Sequence, residues 1–174
     1  GPGATLADSL SQGVLTVTAQ NGGGVYDVGG IAGYNSGEID ESATASVTQG
    51  AVNVSASATR GAVTVYYVGG AIGNNGGRLL LPSSGVFTPG SVTVSNTSAA
   101  GTSAYLGGVL GGNSYASSVI DGVSGSLAVT VDNATGGVVN YVGGVAGSNS
   151  GTLGHATGSL TLADLAGGAL DNAT

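Results

Sequence analysis

The sequence predicts an all-β fold: a parallel β-solenoid (β-helix) of about four repeats of 36–40 residues. Three observations carry that expectation. A glycine motif recurs four times, short alternating runs recur in step with it, and almost nothing has helical periodicity.

The glycine motif comes first. "VGGIAGYNSG" begins at Val28, "VGGAIGNNGG" at Val68, "LGGVLGGNSY" at Leu106 and "VGGVAGSNSG" at Val142, and all obey G-G-x-x-G-x-N. Their first glycines, Gly29, Gly69, Gly107 and Gly143, stand 40, 38 and 36 residues apart. A tyrosine lies just upstream of each, at Tyr26, Tyr67, Tyr105 and Tyr141, so the repeat cores fall near 26–37, 66–77, 104–115 and 140–151.

The second element is "VLTVTAQ" from Val14, "AVNVSAS" from Ala51, "SVTVSNT" from Ser91, "SLAVTVD" from Ser126 and "SLTLADL" from Ser159. Alternation with period two marks a strand with one buried face. The inward columns expected are Leu15, Val52, Val92, Leu127, Leu160 and Val17, Val54, Val94, Val129, Leu162. The outward ones are Thr16, Asn53, Thr93, Ala128, Thr161 and Thr18, Ser55, Ser95, Thr130, Ala163.

Each unit thus reads as strand, turn, tyrosine-bearing strand, Gly-Asn turn and a variable third segment such as "GRLLLPSSGVFTPG". One unit cannot bury its own apolar face, so stacked neighbours must share a core. The period suits one large coil or two coils of half the length. "LTLADLAGGAL" reads as a fifth strand or a helical capping turn. The alternative architecture is an antiparallel β-sandwich or β-prism.

Residues 1–174 read as a single repetitive β domain excised from a larger surface protein, with Gly1-Pro2 as the remnant of a protease cleavage. The composition is unusual: 36 glycines, 6% charged residues, and no Cys, Met, Trp or Lys. With 41% hydrophobic residues the chain has the apolar content to fold. A net charge of −7, with Arg60 and Arg78 the only basic side chains, argues against nucleic acid and anionic membranes as partners. No apolar run approaches the roughly 18–20 residues that span a bilayer, so membrane insertion by this segment is not expected. Without cysteine or lysine there is no thiolate, disulfide, Schiff base or isopeptide crosslink.

"YVGGVAGSNSGTL" and "YDVGGIAGYNSGEI" resemble the GLUG-type repeat of bacterial surface adhesins, found in filamentous-haemagglutinin-like and IgA-protease-like surface proteins. The second and third copies depart from the usual N-S-G, with Asn75-Gly76-Gly77 and Asn113-Ser114-Tyr115. The resemblance implies an extracellular, secreted or cell-surface segment: a stalk or adhesive region with no catalytic activity of its own. Partners would be a host or neighbouring-cell surface protein or glycan, and neighbouring domains of the same chain.

The glycine motif is not a phosphate loop, because such loops feed the N-terminus of a helix, and here a β-like run follows. Its glycines are expected where backbones crowd or φ is positive. The asparagines Asn35, Asn75, Asn113 and Asn149 are expected to form an amide ladder satisfying the turns, or a polar ligand-binding row. The tyrosine row Tyr26, Tyr67, Tyr105 and Tyr141 is expected to face the core; turned outward, it would contact sugars. Glu38, Asp40 and Glu41 form the one acidic cluster, a solvated turn by first reading, with calcium binding or glycoside hydrolysis as alternatives. Otherwise no cofactor is expected. His155 has no acidic neighbour in sequence to build a triad with. The threonine columns raise ice binding as a further alternative.

Overall fold

The structure, a computed structural model, describes residues 5–7, 13–21, 23–40, 46–80, 86–88, 90–98, 100–121, 123–133, 137–153, 156–164 and 169–173. The chain is an all-β parallel solenoid. Every described strand pairing is parallel, joining each strand to its counterpart one repeat away, which excludes the antiparallel sandwich and prism.

One repeat makes one coil that visits four sheets in turn. Leu15–Gln20, Val52–Ser57, Val92–Asn96, Val123–Asn133 and Ala156–Asp164 form the first sheet. Val25–Gly29, Thr64–Gly69, Thr102–Gly107, Val138–Gly143 and Ala169–Ala173 form the second. Ala32–Asn35, Ile72–Asn75, Leu110–Asn113 and Ala146–Asn149 form the third. The fourth holds Thr5–Ala7, Glu38–Asp40, Arg78–Leu80, Val119–Asp121 and Thr152–Leu153. A two-stranded ladder of Ser46–Thr48 and Val86–Thr88 lies in the variable segment. The segment near the C-terminus is strand in both its described parts, not a helical turn. No helix among the described residues is long and apolar enough to cross a membrane.

Two apolar columns run along the stack. Val52, Val54, Val92, Val94, Val129 and Val131 of the first sheet pack against Val65, Val68, Leu106, Val139 and Val142 of the second. Ile72 and Leu110 of the third sheet pack against Ile39 and Leu79 of the fourth. β-Branched residues suit both columns, since every inward position must fill the width between two stacked neighbours.

The first sheet corrects the expected columns. Leu15, Val52 and Val92 align as expected, but Val92 pairs with Val129 and Val129 with Leu162, not with Leu127 and Leu160. The outward column is accordingly Thr16, Asn53, Thr93 and Thr130, with Thr18, Ser55, Ser95 and Asp132 beside it. The slip of two residues conserves the face of every side chain, so alternation alone cannot reveal it.

Candidate functional site: a tyrosine face meeting at Asp27

The glycine motif builds the corner between the second and third sheets. A Cβ on Gly73 would lie 2.5 Å from the Asp27 carbonyl carbon and the Val28 nitrogen, and one on Gly111 would lie 2.5 Å from the Tyr67 Cα. Each of these glycines sits against the backbone of the coil before it. Close approach, rather than positive φ, is what the motif requires.

The left-handed backbone falls instead on the residues just upstream. Asp27, Tyr67, Tyr105 and Tyr141 have φ of 53, 55, 58 and 55°. Each is skipped by the ladder of its sheet together with its counterpart one coil away, an outward bulge repeated in register through four coils with no extra residue in any strand. A left-handed non-glycine residue costs about 1–3 kcal/mol, so the surrounding corner must hold it there.

This corrects the tyrosine row in two respects. Tyr26 pairs with Tyr66, one position before the bulge, and Asp27 takes the place in the column that Tyr67, Tyr105 and Tyr141 fill above it. The row also faces solvent rather than the core: Tyr26 and Tyr141 are 58% and 40% exposed, and Tyr67 and Tyr105 are half-buried. The bulge breaks the alternation, placing Val139 and Val142 in the core and both residues between them, Asn140 and Tyr141, on the outer side.

The rings order themselves along the stack. Tyr67 and Tyr105 lie with centroids 4.8 Å apart and planes 12° from parallel; Tyr105 and Tyr141 are 4.9 Å apart at 3°. These separations equal the strand spacing, so each ring sits directly over the next. Tyr66 meets Tyr26, Tyr67 and Tyr105 at 5.7–6.2 Å with tilts of 36–41°.

A second tyrosine pair adjoins this row. Tyr34 hydrogen-bonds Tyr115 and its phenol pKa is raised, first by that bond and then by burial. A Cβ on Gly76 would come within 2.9 Å of the Tyr115 ring and 3.1 Å of the Tyr34 hydroxyl, so glycine is what lets the pair bridge the intervening coil. Asp27 lies where the two groups meet, its charge bearing on both Tyr34 and Tyr67. Burial raises the pKa of Asp27, and a hydrogen bond with the Asn74 side chain opposes it in part. Its Oδ1 is buried without a hydrogen-bond partner. The Ser114 hydroxyl donates to Asn74 Oδ1 at 2.5 Å, adding a third coil to the cluster.

The asparagines form the ladder. Asn35 Nδ2 donates to Asn75 Oδ1 at 2.8 Å, Asn75 Nδ2 to Asn113 Oδ1 at 3.0 Å, and Asn113 Nδ2 to Asn149 Oδ1 at 2.7 Å. Each end also caps its own turn, with Gly37 N–H donating to Asn35 Oδ1 and Asn149 Nδ2 donating to the Gly151 carbonyl. Asn35, Asn75 and Asn113 are buried and only Asn149 is exposed. Three of the four amides are therefore enclosed within the corner they brace.

Glu38 and Asp40 flank the buried Ile39 on one strand, and Arg78 of the next coil donates to Glu38 at 2.7 Å. Glu41 and His155 lie outside the described residues, and no group of three potential metal ligands occurs among the described ones. Sequence reading missed Asp27, Tyr34, Tyr66, Asn74 and Tyr115. The signal for Asp27 was its distance from the first glycine: it precedes Gly29 by the same two residues that separate Tyr67 from Gly69 and Tyr105 from Gly107.

No protein-family model matches the chain, and neither a curated protein nor a solved structure matches it.

Proposed function

We propose that this chain is a non-catalytic segment of an extracellular bacterial surface protein, a solenoid stalk whose tyrosine face makes adhesive contacts. The observation that supports it most is the exposed aromatic face on a scaffold whose asparagine ladder is consumed internally. Buried amides and crowded glycines hold the coils together, while Tyr26, Tyr34, Tyr115 and Tyr141 stand in solvent. Tyrosine offers large contact area at low entropic cost, which suits a surface with few charges. The resemblance to GLUG-type repeats points the same way. Replacing Tyr26, Tyr34 and Tyr115 with serine should abolish retention of the purified chain on host cells or matrix; undiminished retention refutes an adhesive tyrosine face.

A glycan is the second reading, favoured by the Asp27–Asn74 pair beside Tyr34 and Tyr115. Aromatic rings with a nearby carboxylate and amide suit a neutral sugar, and the carboxylate would repel an acidic one. An array of neutral and sialylated glycans separates these outcomes. Retention on cells without binding to any glycan leaves a protein partner.

A further inference from the structure

The side chains that oxidants ordinarily attack first are absent: there is no Cys, Met or Trp. Seven tyrosines remain, and they fall into two groups on the solvent side of the solenoid, a row of five rings in contact and the hydrogen-bonded pair Tyr34 and Tyr115. One-electron oxidants acting on this chain therefore find their sinks gathered in one place.

We propose that Tyr105 is the centre of an oxidative modification site, at which it couples to Tyr67 or Tyr141 and joins successive coils through dityrosine. The co-reactant is a peroxide used by a haem peroxidase. Each of two phenols loses one electron and one proton, and the resulting phenoxyl radicals form a carbon–carbon bond between their ortho positions. Rearomatisation restores both hydroxyls. The peroxide takes the two electrons and two protons, so two phenols and one hydrogen peroxide give one dityrosine and two waters.

Geometry selects the pairs. Tyr105 lies 4.8 Å from Tyr67 and 4.9 Å from Tyr141 with nearly parallel planes, so equivalent ortho carbons face each other. The contacts of Tyr66 are longer and tilted by 36–41°. The repeated left-handed bulge fixes the ring positions in advance, which removes the entropic cost of bringing two radicals together. Dityrosine is also the crosslink this composition permits, since disulfides require cysteine and isopeptides require lysine. It would staple one coil to the next on the outside, where the Asn ladder joins them on the inside.

The test oxidises the purified chain with a haem peroxidase and hydrogen peroxide, then reads dityrosine fluorescence and fragment masses. Cleavage after Arg78, Asp121 and Asp132 places Tyr67, Tyr105 and Tyr141 in different fragments. The expected product is a monomeric chain lighter by two hydrogen atoms. Its Tyr105 fragment should be joined to the fragment carrying Tyr67 or Tyr141. Tyr105→Phe, which keeps the ring stack, should lose the link, while Tyr26→Phe should retain it. Dityrosine found only between chains, links that persist in Tyr105→Phe, or oxidation without dityrosine would each overturn the proposal.

Discussion

Asn75 Nδ2 donates to Asn113 Oδ1 at 3.0 Å across adjacent coils, and Asn113 passes the pattern to Asn149 at 2.7 Å. Both residues are fully buried, so each amide serves as donor and acceptor where water cannot substitute. An internal rung should therefore be worth more than an end rung. Asn113→Ala leaves the buried Asn75 amide with only its Gly77 carbonyl acceptor and one N–H unpaired, and should cost about 2 kcal/mol or more; Asn149→Ala, at the exposed end where water replaces the lost acceptor, should cost about 1 kcal/mol. Urea denaturation of the two variants measures the difference, and equal losses would refute a cooperative ladder.

The glycine corner makes a steric prediction. A methyl group on Gly111 would strike the backbone of Tyr67 and Gly73, neither of which is a movable side-chain end. Gly111→Ala should destabilise the fold by about 3 kcal/mol or more. Gly13 has nothing within 4 Å of its would-be Cβ, so Gly13→Ala should stay within about 0.5 kcal/mol of the parent. Thermal melts of both variants suffice.

Asp27 predicts a pH effect. Burial sets its folded pKa above the unfolded value of 3.8, so the folded chain binds this proton more tightly than the unfolded chain does. Stability from this group is therefore full below 3.8 and declines as pH rises from there through the raised folded value. Asp27→Asn, which also tolerates left-handed backbone, should stabilise the fold at neutral pH, with the gain vanishing in acid. Denaturation midpoints of parent and variant across pH check it. A gain independent of pH would mean that charge is not the cause.

Gln49 is 3% exposed, and neither its Oε1 nor its Nε2 has a hydrogen-bond partner. Gln49→Met keeps the unbranched shape and removes both polar atoms. It should gain about 1 kcal/mol, read as a raised denaturant midpoint with unchanged slope.

The coil plan was legible because the G-G-x-x-G-x-N motif reports backbone contact, and backbone contact repeats with the coil. The asparagine ladder was legible for the same reason: residues at one offset from the motif must stack. The fourth and fifth strands of the first sheet were misplaced by two residues because alternation is blind to even shifts. The direction of the tyrosines was hidden more deeply. Alternation carried forward from the buried Ser103 would put Tyr105 inside, and only the bulge turns it out. Nothing in "SAYLGG" announces left-handed backbone at a tyrosine, a residue with no intrinsic preference for it. Tyr34 and Tyr115 were missed because their contact spans a coil and passes over Gly76, a relation with no periodic trace.

The unequal coils have a consequence for how this chain finds its own pairing. A stack of identical turns could be assembled one turn out of step at the loss of a single interface, and such frame errors would be hard to correct. Here the rungs lie 40, 38 and 36 residues apart, and the lowest place in the tyrosine column carries a carboxylate instead of a ring. A frame error would leave surplus chain in every loop and set Asp27 among stacked aromatics. Irregularity thus gives each turn an address, and a repetitive sequence acquires a single way to close.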